Sequence, residues 1–252
     1  MIREWTPSQT HNISLSGKSG KTTFNVGLGY LDQNGLMKVA KHDDFRRWNG
    51  SIRLSTEINK YITARAGANY SKRNKRYAYA TNSTTADPWL YLYRWDSTYP
   101  MGYDENGNEM RSPASEVHQA NTANKEDNYL SFNVGATLKI TKDWKFDIDY
   151  TYAGEDQIWK KNGTKYTAAD TWTAPVKRLD GNGNQIYVNN KGEVVSAGSQ
   201  GAMPAYDLNY RQYTADGGNP DHIRRQVTNA KRHTLNITTD YNWQINKQNN
   251  LK

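Results

Sequence analysis

The 252-residue sequence contains no cysteine, which excludes disulfides, zinc–thiolate centres and cysteine nucleophiles. No stretch approaches the ~20 consecutive apolar residues of a membrane helix, and the opening MIREWTPSQ lacks the apolar core of a secretory signal. Hydrophobic residues make up only 35% of the chain, and mean hydropathy is −0.99. Ordinary globular domains reach roughly 45–50%. A length suited to one or two soluble domains therefore comes without the material for a large compact core. Phenylalanine is scarce, at 4 residues, while tyrosine and tryptophan number 18 and 8. Those two carry a polar tip and suit surfaces that are half wet and half apolar.

What is present is alternation. Residues 11–17 place His11, Ile13, Leu15 and Gly17 on one face against Asn12, Ser14 and Ser16. Residues 22–31 place Phe24, Val26, Leu28 and Tyr30 against Thr23, Asn25, Gly27 and Gly29. The same period of two runs through 47–58 (Trp48, Ile52, Leu54, Ile58), 61–71 (Ile62, Ala64, Ala66, Tyr70), 128–140 (Leu130, Phe132, Val134, Leu138), 145–153 (Phe146, Ile148, Tyr150, Tyr152) and 232–243 (Leu235, Ile237, Tyr241, Trp243). Leu251 opens an eighth run. A two-residue period predicts strands with one apolar face, and no amphipathic helix of useful length competes.

The links between these runs alternate in length. Tight turns at 18–21, 59–60, 141–144 and 245–250 separate longer connections at 32–46, 72–127 and 154–231. In an up-and-down sheet this puts every tight turn at one end. That asymmetry belongs to outer-membrane barrels, not to soluble sandwiches. Ten strand residues rise about 33 Å, and a tilt near 40° projects this to about 25 Å, the height of such a barrel's apolar band. Tyr30, Trp48, Tyr70, Trp144, Tyr152 and Trp243 fall at or near the ends of the runs, where aromatic girdles sit. On this reading Phe24, Val26, Leu28 and Tyr30 face lipid, and Thr23, Asn25, Gly27 and Gly29 face a wet interior. The expected fold is an all-β antiparallel meander forming part of a transmembrane β-barrel, with two long extracellular loops.

The segment QTHNISLSGKSGKTTFNVGLGYLDQNGLMK, residues 9–38, resembles the first barrel strands of SusC/RagA-type TonB-dependent transporters: an Asn-rich strand, a small turn, a TTF-x-V strand and a Y-x-D-Q loop entry. Asp44–Arg47 followed by SIRLSTEIN resembles the family's return strand, and NITTDYNWQINKQNNLK a later hairpin entry. The resemblance implies residues 1–252 as a partial barrel domain, with plug and remaining strands elsewhere in a longer protein. It also implies a Gram-negative outer-membrane location and uptake of an oligomeric glycan or peptide beneath a SusD-like lipoprotein. TonB would act through an N-terminal part outside this sequence. A secreted carbohydrate-binding β domain is the alternative.

Candidate chemistry concentrates in the loops. Trp89, Tyr91, Tyr93, Trp95, Tyr99 and Tyr103 form the most aromatic segment, whose ring faces suit sugar C–H faces or a partner surface. Asp104, Asn106 and Asn108, and again Asp180, Asn182 and Asn184, have the D-x-N-x-N spacing of a calcium loop. Glu109 and Gln185 stand where glycine is needed, so hairpin turns fit better. Asp147 and Asp149 share one strand face, as paired glycosidase carboxylates could, or as polar lining of a wet lumen. Net charge is +8, densest at Lys72, Arg73, Lys75 and Arg76. Next to Tyr77 and Tyr79 this cluster could contact nucleic acid, but a solvated strand end fits better, and no nucleic-acid partner is expected. The five histidines show no metal-ligand spacing. No catalytic residue, metal site or cofactor is expected.

Overall fold

The computed structural model describes residues 1–79, 88–214, 223–244 and 250–251; within these, the side chains of Pro88, Tyr91, Trp243, Gln244, Asn250 and Leu251 are not described. Seven strands build one antiparallel sheet: β1 (Ser8–Ser19), β2 (Thr22–Asn34), β3 (Asp44–Glu57), β4 (Ile62–Ala78), β5 (Thr122–Lys139), β6 (Trp144–Asn162) and β9 (Ile223–Tyr241). Between the last two come β7 (Lys165–Asp170) and β8 (Asn209–Thr214), which pair with each other outside the sheet. The order β1-β2-β3-β4-β5-β6-β9 is a meander with each strand beside its sequence neighbour in the sheet, and it does not close on itself. Trp243–Gln244 pairs with Asn250–Leu251, where an eighth run was expected.

Turn chemistry sets the tight end. Gly20, at φ +58°, lets two residues reverse the chain between β1 and β2, a conformation that costs other residues a Cβ clash. Asn59 Oδ1 accepts from the backbone N–H groups of Tyr61 and Ile62 at 2.8 and 2.9 Å. Between β5 and β6, the Asp143 N–H donates to Thr141 Oγ1 at 3.2 Å. The connections at the opposite end span 35–43, 79–121 and 163–222.

Those connections are shorter than the sequence pattern predicted, because the strands are longer. β4 runs seven residues past Ser71, to Ala78; β5 begins at Thr122; β6 continues to Asn162; and β9 starts at Ile223. Apolar alternation ends near Tyr70, Leu130 and Tyr152 because both faces turn polar there, while the hydrogen-bond ladder continues: Arg73↔Asp127, Arg76↔Asn124, Gln157↔Thr228 and Lys160↔Arg225. The Lys72–Arg76 cluster is therefore strand. Its Arg76 pairs with Asp44 of β3 at 2.8 Å.

Buried residues lie mainly in the connections, not on the sheet. Met37, Val117 and Ala120 form a small core with Met1, Val39, Ala40 and Ala78. Two short helices, α1 (Pro88–Arg94) and α2 (Pro113–Gln119), belong to the first long connection. Helix α2 begins with a reciprocal cap between Ser112 and Ser115, followed by Pro113 at its first position, which satisfies two otherwise orphan amides.

Candidate functional site

Two surfaces could carry function: the sheet's two unlike faces, and the cap built by the long connections. On the apolar face the register joins Leu15, Val26, Ile52, Ala68, Phe132 and Tyr152 in one row across the strands, ending at His233. Among the described residues nothing covers this face: Ile13, Leu15 and Leu235 are 72%, 63% and 61% exposed. Isolated exposed apolar residues are ordinary, but a contiguous face of this extent marks contact with a partner or with lipid.

The apolar band crosses the ladder obliquely. On β1 it ends at Gly17, whose register partner on β9, through Phe24, Leu54, Ala66, Val134 and Tyr150, is Leu235. On β9 the band continues six residues further, to Tyr241, opposite Trp144. Six strand-to-strand steps separate β1 from β9, so the lower edge shifts by roughly one residue per strand. With ~3.3 Å rise per residue and ~4.8 Å between strands, this corresponds to a tilt of roughly 35°. A planar apolar slab crossed by strands tilted ~35–45° requires such a slant.

The opposite face is polar and internally paired. Arg65 of β4 reaches across β5 to both β6 carboxylates, with Nη1 at 3.2 Å from Asp147 and Nη2 at 2.9 Å from Asp149. Gly135 of β5 makes this possible: a Cβ there would overlap the Asp149 carboxylate and come within 2.9 Å of the Ile148 carbonyl. Both carboxylates are thus engaged by one guanidinium as paired polar lining of the sheet. Lys145 and Asp240 form a further pair at 3.0 Å on the same face.

The cap joins both long connections at their roots and again at a buried charge cluster. Thr164, fully buried, donates to the Tyr79 carbonyl at 2.9 Å and accepts from the Asn121 N–H at 3.0 Å. Higher up, the Asp170 side chain of β7 is 0% exposed. It meets Arg111 at 3.5 Å and Arg211 at 3.3 Å, and accepts from the Tyr213 hydroxyl and from the Trp172 N–H at 2.8 Å. Burial alone would raise this carboxyl's pKa, but the donors and guanidinium groups hold it below the ordinary range. Nearby Glu116 is pushed up by burial, although the Tyr166 hydroxyl donates to it at 2.5 Å.

The five loop aromatics whose side chains are described do not form one platform. Trp95 and Tyr99 pack edge-on against Trp172 of the second connection, with centroids 6.2 and 4.8 Å away. Trp172 gave no signal in the sequence, since it lies 73 residues beyond Tyr99 in a weakly patterned segment. Trp89 and Tyr93 are four residues apart on α1, hence on one helix side, and Tyr93 is 86% exposed; Tyr91 lies between them in the helix. Tyr103 sits apart, beside the second connection's Tyr206 and Asp207.

Both D-x-N-x-N segments are hairpin turns. Asp104 Oδ1 accepts from the Asn106 and Asn108 amides at 2.9 and 2.8 Å, and Asp180 repeats this with Asn182 and Asn184. Gly107 and Gly183 take positive φ at the fourth position. Asn189 builds a third copy on Lys191 and Glu193, closing the strands that carry Val188 and Val194. Each first-position oxygen is thus spent on backbone donors, as in Asx turns.

The described residues thus form an open, slanted antiparallel meander with one apolar and one polar face, capped at one end. No protein-family model and no curated protein matches the chain. Among solved structures, the RagAB peptide importer in its closed-closed state is similar, with TM-score 0.40 and 15% identity. That match covers 96% of this chain and 30% of the importer chain, so the sequence spans under a third of the structure it resembles.

Proposed function

We propose that the chain is wall and loop cap of a TonB-dependent outer-membrane transporter of the SusC/RagA kind, importing an oligomeric glycan or peptide. Residues 1–252 serve as a partial barrel domain. The slanted apolar band carries this reading, because a tilted strand array through a flat hydrocarbon layer accounts for both its exposure and its drift. The polar face, with Arg65 paired to both Asp147 and Asp149, lines the wet bore. The cap faces outward, beneath a SusD-like lipoprotein, with the exposed Trp89, Tyr93 and Tyr103 toward ligand or lid, and Trp95 and Tyr99 packed behind them on Trp172. Energy coupling through TonB belongs to another part of the protein, and the segment has no catalytic role.

Fractionation of cells carrying the full-length protein tests this. Recovery in outer membranes with heat-modifiable gel mobility is the expected result. A soluble, sugar-binding product would replace this reading with a secreted carbohydrate-binding domain.

A further inference from the structure

The cap contains a cleft of about 350 Å³ where the turn at 104–108 meets the second connection. Met110, Pro175 and Leu208 form its apolar side, and Tyr103 and Tyr206 stand at it 67% and 48% exposed. Three carboxylates line it against one guanidinium. Two of the three are committed. Asp104 holds its own turn, and Asp207 is paired with Arg178 through Nε at 2.8 Å and Nη2 at 2.5 Å. Hydrogen bonding to Arg178 holds the Asp207 carboxyl below its usual range; Asp104 is likewise low, its turn donors outweighing burial. Glu105 has no ion pair within 4 Å among the described residues, and the Arg178 guanidinium, already bound to Asp207, acts on it only through space.

The amide side chains at the cleft are already used. Asn108 donates its side chain to Asp104 at 3.0 Å, and the Asn106 side chain donates to Asp207. What remains open is two phenol faces and a carboxylate, which together attract an organic cation. Charge on the larger scale agrees. The chain is basic at +8, yet residues 79–121 carry six carboxylates against two basic side chains. The first connection is thus acidic within a basic protein, and it draws cations toward the cleft.

We propose that this cleft takes a lysine or arginine side chain of a peptide, its cationic head against Tyr103 and Tyr206 and beside Glu105. This rests on the transporter reading and specifies its ligand as peptide. A pocket of this size falls at the lower end of small-ligand sites, roughly 300–1,000 Å³, enough for one long side chain and its backbone.

The test is calorimetric titration of the detergent-purified full-length protein with three probes: an acetylated Lys-Gly hexapeptide, its Glu-Gly counterpart and maltohexaose. The lysine peptide should bind in preference to the other two. Glu105→Gln and Tyr206→Ala should each weaken it by about 3–30-fold, with near-UV circular dichroism unchanged. Equal binding of both peptides, binding of maltohexaose alone, no binding, or insensitivity to both substitutions would overturn the assignment. Outer-membrane recovery without lysine-peptide binding removes the cleft's role and leaves the wall reading intact. A soluble protein that binds the lysine peptide does the reverse.

Discussion

Gly135 has one job that its side-chain-free face makes possible: Asp149 lies over it to reach Arg65 two strands away. Gly135→Val should cost about 1–3 kcal/mol through overpacking. In an Asp149→Ala background the same change should cost measurably less, because the two positions share one volume; urea unfolding of the full-length protein reads the difference. Asp170 is the opposite case, a carboxylate with too many donors to lose. Asp170→Asn leaves Arg111 and Arg211 without their shared anion, at about 2–4 kcal/mol, below the figure for a wholly buried pair since Arg211 stays half exposed. Loss of the near-UV signal of Trp172, and new protease cuts in the cap, should report it. Neither glycine nor aspartate was legible as special in the sequence. Asp149 was visible as one of two acids on a strand face, but its partner lies 84 positions away.

At the scale of the strand, faces decide tolerance. Leu15→Arg or Ile52→Arg, both on the apolar face, should destabilise by about 2–4 kcal/mol if hydrocarbon covers that face at mid-depth. Ser14→Arg or Ser51→Arg, one residue away on the polar face, should change outer-membrane yield little. Equal effects at both faces would contradict a lipid-facing wall. This alternation was legible from the sequence because a pleated strand turns successive side chains to opposite sides. Strand length was not. Beyond Tyr70 and Leu130 the ladder continues through residues polar on both faces, and a hydrogen-bonded backbone needs no apolar period.

At the scale of the molecule, two properties follow. The first is the pair of open edges, β1 and β9, each presenting unpaired amides and carbonyls at several kcal/mol per group within lipid. The 252-residue chain expressed alone should therefore aggregate; a monomeric, protease-resistant product in detergent would contradict this. The second is acid sensitivity of the cap. Asp104, Asp170, Asp180 and Asp207 all have carboxyls held below their ordinary values. Their stabilising contribution is complete above about pH 4 and is lost as pH falls through the lowered values. Glu116, pushed up, works in the opposite sense alone. Tryptophan fluorescence of the full-length protein should accordingly show the cap loosening in acid below about pH 4.

The sequence by itself determined which residues alternate, which end of the sheet carries the tight turns, and that the two D-x-N-x-N segments are turns, because period and turn chemistry are local. The tertiary structure decided what register alone can place together: the oblique course of the apolar band, Arg65 between two aspartates, Trp172 against Tyr99, and the cleft between two connections. Those depend on contacts between residues dozens of positions apart, which local patterning does not encode.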